Sequence, residues 1–232
     1  MELTESMKSL QDYEEKRYEL TALAVFDGVE RTVPNPDQVI LLLHGLHERG
    51  LRIYRKLITH LPETALILAP NAPYPLPREK DGRTEYGFCW YFYDRATKTY
   101  YINQKLATDW LVKFLESKNI SHLPLTIIGF SQGGYLAPIL GHALPQTKLV
   151  IGLGCEFRDN LVADDIKFPL VGLHGENDFV VNVNHSRADA EKLKAKNLPV
   201  EWESVPDTAH EISERMGARV KTILESYGKN RL

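Results

Sequence analysis

The sequence predicts an α/β protein: a mostly parallel central sheet with helices on both faces. Three observations predict it. Short leucine-rich and β-branched runs alternate with longer stretches whose apolar residues recur every three or four positions. The middle runs are almost wholly apolar, as strands covered on both faces require. One of them, 125–129, passes through a glycine-flanked turn straight into a helical segment.

In chain order, strands are expected over 20–26, 38–43, 65–69, 125–129, 148–152, 169–173 and 200–205. Ile102, Leu106, Trp110, Leu111, Phe114 and Leu115 share one helical face, and Ile212, Met216, Val220, Ile223 and Tyr227 share another; both helices should cover the sheet. Between 71 and 101 the prolines Pro73, Pro75 and Pro77, followed by the aromatic stretch from Tyr86 to Tyr93, break any regular period. That region reads as a long irregular loop of the kind that serves function. No repeat and no Pro- or Gly/Ser-rich linker divides the chain, so 1–232 is read as one domain, with 1–19 a peripheral N-terminal arm or surface helix.

The 232 residues are 43% hydrophobic, 25% charged and 9% aromatic, which fits a compact globular chain. With 28 Lys+Arg against 31 Asp+Glu the formal charge is −3, too weak a field to hold nucleic acid. Cys89 and Cys155 lie far apart without a CxxC, which supports neither a disulfide framework nor a zinc cage and suits a reducing compartment. No basic segment followed by an apolar run opens the chain, and no apolar run approaches a membrane span, so a soluble cytoplasmic protein is expected.

Chemistry is concentrated after the run 125–129. The residues Gly129-Phe130-Ser131-Gln132-Gly133-Gly134 place G-x-S-x-G between a strand and a helix. A sharp turn of that kind holds the serine hydroxyl clear of the sheet, and its glycines are required because a Cβ would strike the neighbouring strand and helix. Ser131 then sits at a helix N-terminus, where the dipole and free NH groups favour a developing oxyanion. A serine needs a general base, and the base needs an acid to orient it. The run 169–173 is followed by His174-Gly175-Glu176-Asn177-Asp178, and the run 200–205 by Pro206-Asp207-Thr208-Ala209-His210. The order Ser131, Asp178, His210 matches that of a Ser-Asp-His hydrolase, and all three fall at carboxyl ends of parallel strands. Asp159, Asp164, Asp165 and Asp207 compete with Asp178, but only Asp178 directly follows a buried-looking strand. His44 and His174 read as turn histidines, and His60, His122, His142 and His185 as solvated ones. The backbone NH groups of Leu46, in the turn after 38–43, and of Gln132 are the candidate oxyanion donors.

At these residues the chain resembles the phospholipase/carboxylesterase family of the α/β-hydrolase superfamily, which includes acyl-protein thioesterases. The matching pieces run co-linearly from about Val39: Leu43-His44-Gly45-Leu46, Ala69-Pro70-Asn71-Ala72-Pro73, Trp90-Tyr91 with Asp94, the Gly129 to Gly134 elbow, His174-Gly175 with Asp178, and Ala209-His210-Glu211. The resemblance implies an α/β-hydrolase fold with no large lid domain and cleavage of carboxyl esters or thioesters without metal or organic cofactor, often by a homodimer. Two departures stand out. His47-Glu48 replaces the family's usual Gly-Asp after His-Gly-Leu, and Gly154-Cys155-Glu156 replaces its usual Ser-Gly.

The expected activity is thus a serine hydrolase acting on small short- to medium-chain acyl esters, with thioesters and lysophospholipids as further classes, and with no nucleic acid and no stable membrane insertion. Trp90, Tyr91 and Cys155 are the candidate substrate-pocket residues. The rival reading is a catalytically weak or inactive ligand-binding relative, motivated by His47-Glu48. A nucleotide-binding domain fails for want of G-x-G-x-x-G after the early strands. A metal site at His44, His47 and Glu48 lacks HExxH spacing, and Cys155 lacks elbow glycines.

Overall fold

The computed structural model describes residues 27–94 and 96–229. The strand expected over 20–26 and the arm over 1–19 lie outside them. Eleven strands follow in chain order among these residues: β1 (Gly28–Arg31), β2 (Val39–Leu43), β3 (Leu66–Pro70), β4 (Tyr74–Lys80), β5 (Arg83–Cys89), β6 (Phe92–Asp94), β7 (Thr99–Ile102), β8 (Leu125–Phe130), β9 (Thr147–Leu153), β10 (Leu170–Gly175) and β11 (Val200–Val205). The helices are α1 (Gly50–Leu57), α2 (Gln104–Ser117), α3 (Gln132–Ala143), α4 (Val183–Ala195) and α5 (Glu214–Lys229). Among the described residues no helix is long and apolar enough to cross a membrane.

Seven strands form one sheet in the order β1-β3-β2-β8-β9-β10-β11. Only β1 runs antiparallel, pairing Gly28 with Pro70 and Arg31 with Ile67; the other pairs are parallel. Side chains alternate across a strand, so β2 feeds two cores at once. Val39, Leu41 and Leu43 join Leu111 of α2, Leu136 and Leu140 of α3 and Leu193 of α4 on one face. Ile40 and Leu42 join Ile53 of α1 and Met216, Val220 and Ile223 of α5 on the other. The inner parallel strands are covered on both sides, which is why β2, β3, β8 and β10 are buried at every position.

Helix α2 begins at Gln104, capped by the Asn103 side chain, which accepts from the Lys105 amide at 3.1 Å. Its buried face is Gln104, Ala107, Thr108, Leu111 and Leu115, whereas Trp110 and Phe114 are only half-buried. The inward stripe is therefore rotated from the one that the large apolar residues mark.

The region from 71 to 101 departs most from expectation. It is not an irregular loop but two antiparallel hairpins, β4-β5 and β6-β7. Pro75 and Pro77 sit inside β4, opposite Phe88 and Tyr86. A two-stranded ribbon leaves each strand an outward edge, where the missing proline NH breaks no ladder bond. The tip is Asp81-Gly82, both at positive φ (51° and 71°), the conformation of a two-residue type I′ turn.

Candidate active site

The elbow after β8 is held open by backbone strain and absent side chains. Ser131 adopts φ 48° and ψ −116°, a conformation that costs a non-glycine residue about 1–3 kcal/mol. Its amide donates to Leu153 O at 2.8 Å, and its carbonyl accepts from the Gly134 and Tyr135 amides. A Cβ on Gly129 would lie 2.3 Å from Gly133 O, and one on Gly133 would lie 2.3 Å from Leu43 O. Both contacts are with backbone and cannot give way, so the two glycines let β8, α3 and β2 meet closely enough to form the turn.

Two further loops bring groups to that hydroxyl. After β10, Asp178 is buried, and its Oδ1 accepts from the amides of Val180 (2.8 Å) and Val181 (2.9 Å). After β11, the segment 206–210 is tied to the β10 turn: the Glu176 amide donates to Val205 O and the Asn177 amide to Thr208 O. The approach requires Gly175, where a Cβ would lie 2.3 Å from Thr208 O. The result is a chain of contacts, with His210 Nδ1 2.7 Å from Asp178 Oδ2 and His210 Nε2 3.0 Å from Ser131 Oγ. The three residues singled out by chain order are thus brought together.

Burial alone would raise the Asp178 pKa, but hydrogen bonds from His174, His210 and the Val181 and Val180 amides outweigh it and hold the carboxyl well below the usual carboxylate range. The ionised carboxylate accepts the Nδ1 proton of His210, which leaves Nε2 to accept from the serine hydroxyl. His174 belongs to this arrangement too. Fully buried, it sets Nε2 3.0 Å from Val181 O and 3.3 Å from Asp178 Oδ2. As a turn histidine it met expectation, but its contact with the acid was not foreseen; its i,i+4 spacing to Asp178 across a tight turn was the available signal.

The turn after β2 is equally constrained. His44 is buried, donates from Nδ1 to Gly45 O at 2.7 Å and accepts the Ala72 amide at Nε2 at 2.9 Å. Burial pushes its pKa down from 6.5 to about 4, against the opposing effect of the bond to Gly45, so it stays neutral. The His47-Glu48 departure has a structural reason. Glu48 Oε2 accepts the Gly45 amide at 3.1 Å while Oε1 pairs with Arg52 Nε at 2.8 Å. His47, at φ 64°, donates its amide to Phe88 O, and Phe88 returns its own to Glu48 O. Gly87 makes room, since a Cβ there would lie 2.2 Å from His47 O. The β4-β5 hairpin thereby clamps the turn carrying Leu46.

Gln132 opens α3, where the first NH groups have no intrahelical partner. Its side chain is buried, accepting the Trp90 amide at 2.9 Å and donating to Tyr91 O at 2.8 Å. Ser131, His210, Leu46 and Gln132 all line one cleft of about 790 Å³. Tyr91 lines it as well. Trp90 and Cys155, the other two pocket candidates, do not. Trp90 is 0% exposed, with Nε1 donating to His44 O at 2.8 Å, so it packs behind the turn rather than beside a substrate. Cys155 is buried with its sulfur against Gly134 and Gly152, and burial, helped by Glu156, pushes its thiol pKa up. Sequence reasoning missed Tyr100, Tyr135 and Arg158 on the cleft wall. Among the described residues no group of three or more His, Cys, Asp or Glu is placed to hold a metal ion.

Residues 28–227 match the model of the phospholipase/carboxylesterase family. Among solved structures, esterase PE8 is similar at 21% identity and TM-score 0.68, covering 88% of this chain and all of that one. Zea mays acyl-protein thioesterase 2 (19% identity, TM-score 0.62) covers 88% of this chain and 98% of its own, and Arabidopsis thaliana SOBER1 (18%, 0.63) covers 82% and 98%. No curated protein matches the sequence. The similar structures share the fold of a mostly parallel sheet flanked by helices, and the match of 28–227 carries the assignment. The chain belongs to the phospholipase/carboxylesterase family of α/β-hydrolases.

Proposed function

We propose that the chain is a serine hydrolase of short- to medium-chain carboxyl esters, with Ser131 as nucleophile, His210 as general base and acid, and Asp178 as the group that orients and charges against His210. The single observation that carries the reading is the continuous contact from Asp178 Oδ2 through the His210 ring to Ser131 Oγ, at 2.7 and 3.0 Å. Ser131 Oγ attacks the acyl carbon while its proton passes to His210 Nε2. The carbonyl oxygen, now an oxyanion, accepts from the backbone NH groups of Leu46 and Gln132. Collapse of that intermediate breaks the C–O bond, and the departing alkoxide takes the proton from His210. Water then repeats the sequence on the acyl-Ser131 ester, so no cofactor is needed. A thioester follows the same steps with a thiolate leaving group. A cytoplasmic location belongs to the same reading.

The test is hydrolysis of p-nitrophenyl esters from acetate to palmitate by the wild type and by Ser131→Ala. The reading expects turnover with an optimum at short or medium chain length and a loss of at least ~10³-fold in the variant. A Ser131→Ala protein that hydrolyses as well as the wild type would overturn it.

A further inference from the structure

One charged group on the cleft wall has no part in the steps above. After β9 the chain turns at Gly154, at φ 56°, where a Cβ would lie 3.5 Å from His210 Nδ1 and 3.6 Å from Asp178 Oδ2. Four residues on, Arg158 enters the cleft. Its guanidinium carbon lies 5.1 Å from the centroid of the Tyr135 ring and 5.4 Å from that of Tyr93. Those rings come from α3 and β6, so the cation is held by two separate elements. Tyr135 sits one helical turn beyond the nucleophile, its amide donating to Ser131 O at 3.1 Å. Arg158 and Ser131 line the same cleft.

The charge is only loosely paired, with Glu156. Glu156 Oε2 approaches Arg158 Nε only to 3.6 Å, beyond a good hydrogen bond, and Glu156 Oε1 also lies 4.0 Å from His185 Nδ1. The fork of Nη donors is left to the cleft, and the side chain is 33% exposed. Lys98 adds a second cation to the wall, while Glu48, the other lining carboxylate, is taken up by Gly45 and Arg52.

The geometry points to Arg158 as an anion subsite: the cleft takes esters that also carry an anionic oxygen group, which Arg158 holds while the scissile carbonyl lies at Ser131. This rests on the hydrolase reading. A carboxylate matches the planar fork bidentately, as a phosphate also does.

The experiment compares kcat/KM for p-nitrophenyl hemiesters of succinate, glutarate, adipate and suberate with neutral p-nitrophenyl esters of equal length. Two further pairs place the anion on the alcohol, 4-butyryloxybenzoate and 4-butyryloxyphenyl phosphate, each against 4-methylphenyl butyrate. At least one anionic ester should exceed its neutral partner by ~10- to 100-fold, and the pair that does so tells acyl from alcohol side and carboxylate from phosphate. Arg158→Gln should bring that ratio to about one, Arg158→Lys should keep part of it, and Arg158→Glu should turn the preference toward butyrylcholine over 3,3-dimethylbutyl butyrate. Because each ratio is internal to one protein, a partly misfolded variant does not mimic the result. Neutral esters hydrolysed through Ser131 with no anionic preference would sink the subsite and leave the hydrolase standing. If no ester is turned over, calorimetry of glutarate with Ser131→Ala decides: saturable binding abolished by Arg158→Gln supports the subsite, and its absence overturns it.

Discussion

Replacing Asp178 with asparagine is isosteric, so its effect follows from proton placement and from the loss of the charge opposite His210. Oδ1 accepts two backbone amides, from Val180 and Val181, and Oδ2 faces the His210 and His174 rings. An asparagine oxygen can serve only one side. Turned toward the rings, it would press its NH2 against two buried amides that have no freedom to move their protons. Turned toward the amides, it presents NH2 to two imidazoles: His210, 2.7 Å away, can shift its proton to Nε2 at little cost, while His174 keeps its proton on Nε2, where Val181 O accepts it, and lies at the longer distance of 3.3 Å. The second arrangement wins. His210 then accepts at Nδ1 and carries its proton on Nε2, pointing at Ser131 Oγ from 3.0 Å as a donor where a base is required. Loss of the base with the binding site intact corresponds to ~10⁴ in kcat, or about 5 kcal/mol of transition-state stabilisation. The assay is hydrolysis of p-nitrophenyl butyrate at pH 7 to 10, with circular dichroism to confirm folding. KM should change little. A folded Asp178→Asn protein within tenfold of wild-type kcat would refute the account of Asp178 and His210.

Three other predictions follow from the surrounding frame. His44 is neutral when folded and has a pKa depressed from 6.5 to about 4, so the unfolded chain binds the extra proton first. Its contribution to stability is present above pH 6.5 and drains away as pH falls to about 4, a loss of about 3 kcal/mol; urea midpoints should fall across that window and fall less steeply in His44→Gln. Glu48→Ala frees the Gly45 amide and the turn bearing Leu46, so kcat should drop by ~10²-fold with Tm nearly unchanged, whereas Glu48→Gln, which keeps the acceptor, should retain most activity. An unaltered Glu48→Ala enzyme would show that the Glu48 carboxylate does not hold the oxyanion turn. Gly133→Ala drives a Cβ to 2.3 Å from Leu43 O and should lower stability by about 2 kcal/mol or more, seen as a fall in Tm.

Much of the parallel sheet was legible because each inner strand is buried on both faces and so reads as an uninterrupted apolar run, as Val39–Leu43 does. The juxtaposition of Ser131, Asp178 and His210 was legible for a different reason: a doubly wound sheet delivers successive strand ends to one edge, so chain order fixes spatial order. The hairpins were hidden because their strands are only two-deep and largely exposed, with prolines at edge positions, and periodicity carries no signal there. Asp81-Gly82 was the clue that could have revealed the first of them. Trp90 and Cys155 were misplaced as pocket residues because closeness to the site in sequence does not say which way a side chain points. Arg158 was unreadable for the converse reason, since its partners Tyr93 and Tyr135 belong to elements that only the tertiary fold brings together.

The central claim is that Ser131 is an activated nucleophile, and covalent labelling tests it most directly. The native protein is treated with a fluorophosphonate probe at neutral pH, digested, and the modified peptide mapped by mass spectrometry. The account predicts stoichiometric label on Ser131 alone, abolished in His210→Gln although the serine is still present. Label elsewhere, or none on a folded protein, would contradict it.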